Sequence, residues 1–213
     1  MSRPAGVRNQ DFEEKKEALV KAVADYVQSP GIESPSFRQM AIAADTSEPT
    51  LRHYFGDRSG VLVAVFKHIS ETVAHYRESV AEPGDSLRGS VDSYLDSVSQ
   101  YRRDARYIEA HGLGIRESMV DEAARKAYLD YILTPGIEAI KHKLKGSPNG
   151  PKTPEAAHSA AVMLMASSIF AILYQELLNG KEHAPLDVDK YFSHLKIWLK
   201  DGYDGNPDAL ADR

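Results

Sequence analysis

The chain has 213 residues, enough for one large domain or two small ones, and 42% hydrophobic residues give it material for a core. It has no cysteine, which excludes disulfides, zinc–thiolate sites and thiol nucleophiles and fits a reducing compartment such as the cytoplasm. The net charge is -5, and residues 1–60 hold eight Lys or Arg against nine Asp or Glu, which counts against a binder of nucleic acid that relies on bulk charge. No apolar stretch follows Arg3 and Arg8, so no secretory signal is expected, and no apolar run is expected to approach a membrane span.

Residues 1–10 lack apolar periodicity and read as a disordered tail. A first helix is expected from Phe12 to Gln28, with Phe12, Leu19, Val20, Val23 and Val27 on its apolar face. Pro30 and Gly31 end it. Ser34-Pro35-Ser36 leads into a second helix, with Ser36 or Ser34 as its cap and Phe37 as its first large core residue. Residues 37–55, FRQMAIAADTSEPTLRHYF, read as two short helices joined by a tight turn. Met40, Ala41 and Ala44 fit one helical face, and Ala43 and Ala44 are small enough for another helix to cross closely. Asp45 and Thr46 break the pattern. Ser47 is a good N-cap for the next helix, and Pro49 lies inside its first turn, where a missing amide hydrogen costs little. Leu51 and Phe55 share a core face, which leaves a polar face outward, as in helices offered to the major groove.

These residues resemble the TetR family of transcriptional regulators. The family pattern runs roughly Ala-x-Ala-Ala-Gly-Val-Ser-x-x-Thr-Leu-Tyr-x-Tyr-Phe, then a small residue, a polar residue, Lys and, further on, Leu. Ala41, Ala43, Ala44, Ser47, Thr50, Leu51, Tyr54, Phe55, Gly56, Asp57 and Leu62 stand in matching places. Asp45 replaces the turn Gly, Thr46 the Val, Arg52 the Tyr and Arg58 the Lys. Asp tolerates the left-handed backbone better than most residues, and Arg58 keeps the charge. The resemblance is specific over residues 12–66 and rests on length and helical pattern beyond them.

Gly56 to Gly60 is a turn. A long helix from Ser59 to Val80 follows, with Val61, Leu62, Val65, Phe66, Ile69 and Val73 on its apolar face, a continuous rod of roughly 30 Å. Further helices are expected over Ser86–Tyr101, Ala105–Gly112 and Glu117–Lys143, with Gly112 and Gly114 loosening the chain and a bend near Pro135-Gly136. GSPNGPKTP, residues 146–154, is an exposed loop. The helix Glu155–Leu178 is apolar all round and needs burial on most sides. A last helix spans Asp187–Asp201, and DGNPDALADR reads as frayed. The expectation is an all-α protein of about nine helices. It has a helix-turn-helix DNA-binding domain at 10–58 and a helical ligand-binding and dimerisation domain at 59–205.

The resemblance implies a DNA-binding transcriptional regulator, a repressor by family expectation. It would bind a palindromic double-stranded operator as a homodimer and be released by a small organic effector, with no cofactor, no metal and no membrane. One recognition helix spans few base pairs, so two are needed, set about one DNA turn or a multiple apart. Ser47 caps the recognition helix, Thr50 and Tyr54 are assigned to phosphates, with the Tyr54 ring packing while its hydroxyl reaches out, and Arg58 to a charge-assisted backbone contact. Arg38 is placed for a phosphate, and Arg3 and Arg8 either reach the DNA or belong to a solvated tail. Pro49 and Arg52 are candidates for base edges or groove walls; Arg52 either reads guanine through two hydrogen bonds or lies along the backbone. His53 is either a contact or a packed histidine, and Glu48 either accepts from cytosine or serves the helix N-terminus. Tyr94, Tyr101, Tyr107, His111, Met119, Tyr128, Tyr131, Met163, Phe170 and Tyr174 either line an effector cavity or fill the core. The last two long helices offer Ala161, Met165, Ser168, Ile172, Phe192, Leu195, Trp198 and Leu199 to a four-helix dimer interface.

Enzyme readings find little support. There is no His-Glu-x-x-His, no Gly-x-Ser-x-Gly and no Gly-rich phosphate loop. Glu71, His75 and Glu78 have helical metal-ligand spacing but read better as a solvated face. A helical interaction or small-molecule-binding protein without DNA binding is the alternative, and a helical enzyme a weaker one.

Overall fold

The computed structural model describes residues 5–203. Within them the chain is all helical: α1 (Ala5–Val27), α2 (Phe37–Ala43), α3 (Glu48–Phe55), α4 (Arg58–Thr72), α5 (Ala74–Ala81), α6 (Leu87–Tyr101), α7 (Ala105–Ser118), α8 (Glu122–Tyr128), a π-helical turn (Leu129–Leu133), α9 (Thr134–Gly146), α10 (Pro154–Glu176), α11 (Gly180–His183) and α12 (Val188–Tyr203). Arg3 and the last ten residues lie outside the described range. The chain divides into two compact units. One is Met1–Thr72 with Glu109–Ile132; the other is Val73–Ile108 with Leu133–Arg213.

In the first unit α4 packs against α1, α3 and α8, and α2 against α1 and α3. Leu19, Met40, Leu51, Leu62 and Phe66 are its largest fully buried side chains from these elements. The helix-turn-helix forms from local signals. Ser36 caps α2, accepting from the N–H of Gln39, while the Gln39 side chain accepts from the Ser36 N–H, a capping box. α2 closes with two bonds, Asp45 N–H to Ile42 O and Thr46 N–H to Ala41 O, both 3.0 Å. That paired closure needs a left-handed residue, and Asp45 supplies it with φ 47° where glycine is usual.

Several elements differ from the sequence expectation, each for a physical reason. α1 begins at Ala5, so the first residues expected to be disordered are helical from there. The expected rod stops at Thr72. There the Thr72 hydroxyl donates to the His68 carbonyl at 2.9 Å, competing with the helix's own bonds, and Val73 leaves helical geometry at φ -98°, ψ 11°. α7 runs straight through Gly112 and Gly114. A Cβ on Gly114 would lie 2.3 Å from the Tyr128 ring, so this glycine permits a close approach rather than a loosened chain. The expected bend before Pro135 is a π turn. Proline has no N–H for the i–4 carbonyl, that of Tyr131, and the backbone widens around that residue.

In the second unit α9 packs against α5, α6 and α10, and α12 against α6 and α10. Leu95, Ile140, Leu144, Leu164 and Ile172 lie in its core. By length and composition alone α10 is long and apolar enough to cross a membrane, where no apolar run was expected to approach that length, and a buried core helix meets the same description. Half of its most apolar stretch is buried inside the protein.

Candidate nucleic-acid interface

The recognition helix candidate is α3. Ser47, in extended backbone, accepts the Thr50 N–H at 3.2 Å, and Pro49 occupies the first turn. The Thr50 hydroxyl lies 2.9 Å from the Ser47 hydroxyl, so Thr50 is turned toward the cap. Leu51, fully buried, anchors the helix. Arg38, Ser47, Pro49, Arg52 and His53 are exposed, whereas Glu48, Thr50 and Tyr54 are half-buried. The result is a short helix held by one apolar side chain and two capping bonds, with cationic and imidazole groups left to solvent.

Aromatic contacts set the angles of that outer face. Phe12 of α1 stacks on Tyr54 with centroids 4.6 Å apart and meets His53 edge-on at 5.8 Å. Both residues therefore lean on α1, His53 exposed and Tyr54 half-buried. The Arg52 guanidinium lies 5.0 Å over the Phe37 ring and donates to the Gly56 carbonyl at 3.3 Å. It is a surface arginine with a weak resting place, free to exchange that bond for a base or a phosphate.

Arg58 is placed differently from expectation. Its Nη1 and Nη2 donate to the two carboxylate oxygens of Glu117 at 2.7 and 2.6 Å, and its Nε donates to the Pro35 carbonyl at 2.9 Å. The bond to Glu117 raises the Arg58 pKa above its ordinary value. A phosphate contact through this guanidinium would have to break an existing fork. Sequence reasoning missed Glu117: the two residues are 59 positions apart, and Glu117 read as the start of a helix rather than the end of one.

The aromatic and soft residues expected around an effector fall in both units. His111 and Tyr128, both buried in the first unit, share a 2.9 Å hydrogen bond. Tyr131 is half-buried there. Met119 stands out to solvent in the single copy. In the second unit Tyr94 is bonded to Ser168 at 3.0 Å, and burial pushes its phenol up to about 12. Tyr101 packs on Tyr76 with ring centroids 4.5 Å apart, and Tyr107 packs against the core. Tyr174 donates to the Ala184 carbonyl at 2.8 Å. Met163 and Phe170, also expected at the effector, are 57% and 64% exposed on α10.

The residues expected at a dimer interface differ in exposure. Ala161, Ser168, Ile172 and Phe192 belong to the protomer interior, and Met165, Leu195 and Leu199 pack against it. Only Trp198, 72% exposed, stands well out. Among the described residues of these helices, the large apolar side chains left bare are Val162, Met163 and Phe170 of α10 and Ile197 and Trp198 of α12. A helix apolar all round carries no phase signal, so the sequence pattern does not tell its buried side from its exposed one.

No protein-family model matches the chain. Over 87 residues it is 31% identical to the HTH-type transcriptional regulator BetI of Stenotrophomonas maltophilia, covering 38% of this chain and 44% of that protein. Over 117 residues it is 26% identical to the HTH-type transcriptional regulator BetI of Cronobacter sakazakii, covering 55% and 51%. The chain thus spans about half the length of the curated relatives it matches. In structure it is similar to a TetR-like transcriptional regulator from Rhodococcus sp. RHA1, with a TM-score of 0.58 and 18% identity over 96% of this chain and 100% of that one. The chain is a helix-turn-helix protein with the all-α fold of the TetR-like transcriptional regulators. Its relatives and structural neighbours are transcriptional regulators of TetR type, a non-enzyme class.

Proposed function

We propose that this protein is a DNA-binding transcriptional repressor that grips an inverted-repeat operator as a homodimer and lets go when a small organic effector binds. The observation that carries the reading is α3. It is a doubly capped helix anchored by buried Leu51, with Pro49, Arg52 and His53 exposed along it. Residues 10–58 form the DNA-binding part. In it Arg52 and His53 meet base edges or groove walls, and Arg38, Thr50 and Tyr54 meet phosphates. Ser47 caps the helix, and Glu48 serves its N-terminus. Residues 59–205 hold the effector and pair the two copies. The exposed apolar side chains of α10 and α12 are suited to that pairing, since burying them against a second copy removes Phe170 and Trp198 from water. The protein acts on DNA in the cytoplasm without a cofactor.

The test begins with selection of bound duplexes from random DNA, followed by gel retardation with the winners. An approximate inverted repeat is expected. Arg52→Ala should weaken binding on the order of tenfold, the worth of one lost base contact, with an unchanged circular dichroism spectrum. Retardation should also fall in the presence of an active member of a metabolite panel. Equal binding by wild type and Arg52→Ala removes α3 from the reading. Equal binding with every metabolite removes the effector.

A further inference from the structure

The segment that launches the helix-turn-helix is held by side chains on α4 and α7, all within the first unit. Ile32 to Pro35 directly precede Ser36, the cap of α2. Arg116 donates to the carbonyls of Ile32 and Glu33 at 3.0 and 2.9 Å. Arg58 donates to the carbonyl of Pro35 at 2.9 Å and to the Ser34 hydroxyl at 3.1 Å. The Ser34 hydroxyl in turn donates to Glu117 at 3.1 Å. Four successive residues of a turn thus have a backbone carbonyl or hydroxyl gripped by Arg58, Arg116 or Glu117.

Glu117 is the centre of this grip. It is 0% exposed, and both of its oxygens are taken by Arg58 in a two-bond fork. It lies one residue from the end of α7, where a carboxylate opposes the helix dipole. Two penalties, burial and the wrong helix end, are offset by one arginine. That arginine occupies the position at which the family pattern carries a lysine. Its planar fork matches a carboxylate in a way that an ammonium does not.

We infer that Arg58 is a positioning residue rather than a phosphate contact: with Glu117 and Arg116 it fixes where the helix-turn-helix starts, and so where α3 is presented. This rests on the DNA-binding reading above and goes beyond it. The two roles predict opposite signs. If Arg58 reached a phosphate, neutralising its internal partner would free it and tighten binding. If Arg58 is a latch, the same change loosens the start of α2 and weakens binding.

The experiment is gel retardation of the selected duplex between 50 and 300 mM salt, with wild type, Glu117→Gln, Arg58→Gln and Arg58→Lys, each first checked for a cooperative thermal transition. Glu117→Gln and Arg58→Gln should each weaken binding by about tenfold, and the double variant should be no worse than either, as expected of residues acting as one unit. The salt slope should stay that of wild type, because no phosphate contact is lost. Loss of one contact per protomer would flatten it by about 2 units. Arg58→Lys covers the case in which the glutamine variant does not fold. A latch loses its fork and weakens like the other variants, whereas a phosphate contact keeps its charge and its slope. Tighter binding by Glu117→Gln, a flattened slope in Arg58→Gln, or wild-type affinity in Arg58→Lys overturns the inference. A wild-type protein that retards no duplex is a different result: it overturns the DNA-binding reading, and this inference with it.

Discussion

Gly114→Val is expected to destabilise the protein by about 3 kcal/mol, the upper part of the usual range for forcing atoms into a packed interior. The thermal midpoint should fall by roughly 6–12 °C, as scaled for a chain of this size. The cause is one contact. A Cβ at this position would lie 2.3 Å from two carbons of the Tyr128 ring, far inside van der Waals range. Tyr128 has little room to retreat: its hydroxyl is bonded to His111 at 2.9 Å, and its ring packs against Phe66 at a centroid distance of 5.7 Å. Thermal unfolding followed by circular dichroism measures the loss. Tyr128→Ala in the same chain should recover part of it, since the added methyls would occupy space vacated by the ring. Equal midpoints for wild type and Gly114→Val would show that α7 and α8 do not pack in this way.

Acid should unfold the protein partly through His111. Burial pushes its imidazolium pKa from 6.5 down to about 4. The folded state therefore prefers the neutral ring, while the unfolded chain accepts a proton at higher pH. The stability due to the neutral ring is complete above pH 6.5 and is lost as pH falls toward 4. A difference of this size corresponds to about 3 kcal/mol in order of magnitude. Glu109 works the other way. Burial raises its pKa, so its contribution is complete at low pH and falls as pH rises through its folded value. Urea midpoints at pH 7.5 and 4.5 should therefore be compared between wild type and His111→Asn, so that background carboxylates cancel. The variant should lose less stability on acidification than wild type. An identical loss would mean that His111 does not titrate across the transition.

What the sequence made legible was what neighbours in the chain decide. Ser36, Ser47 and Pro49 act on residues within one turn of themselves, so α2, the tight turn and α3 were readable, including the left-handed role of Asp45. What it concealed depends on partners far along the chain. Gly114 looked like a weak point because the ring that needs its space is 14 residues away. Arg58 looked free because Glu117 is 59 residues away. The end of α4 at Thr72 left a faint trace, a β-branched pair whose first member turns its hydroxyl back on its own helix. In the candidate site the helix, its exposed Pro49, Arg52 and His53 and the packing of the Tyr54 ring were legible, but the diversion of Arg58 to Glu117 and the identity of Phe12 as the ring's partner were not.

The bare outer side of α10 bears on how this protein behaves when scarce. A single copy leaves Val162, Met163 and Phe170 in water, with Ile197 and Trp198 of α12. If two copies pair through this side, as proposed above, folding and pairing are one equilibrium, and dilution shifts it toward loss of structure. The midpoint of heat unfolding should climb with protein concentration, and Phe170→Ser should remove most of that climb while leaving the buried side of the helix intact.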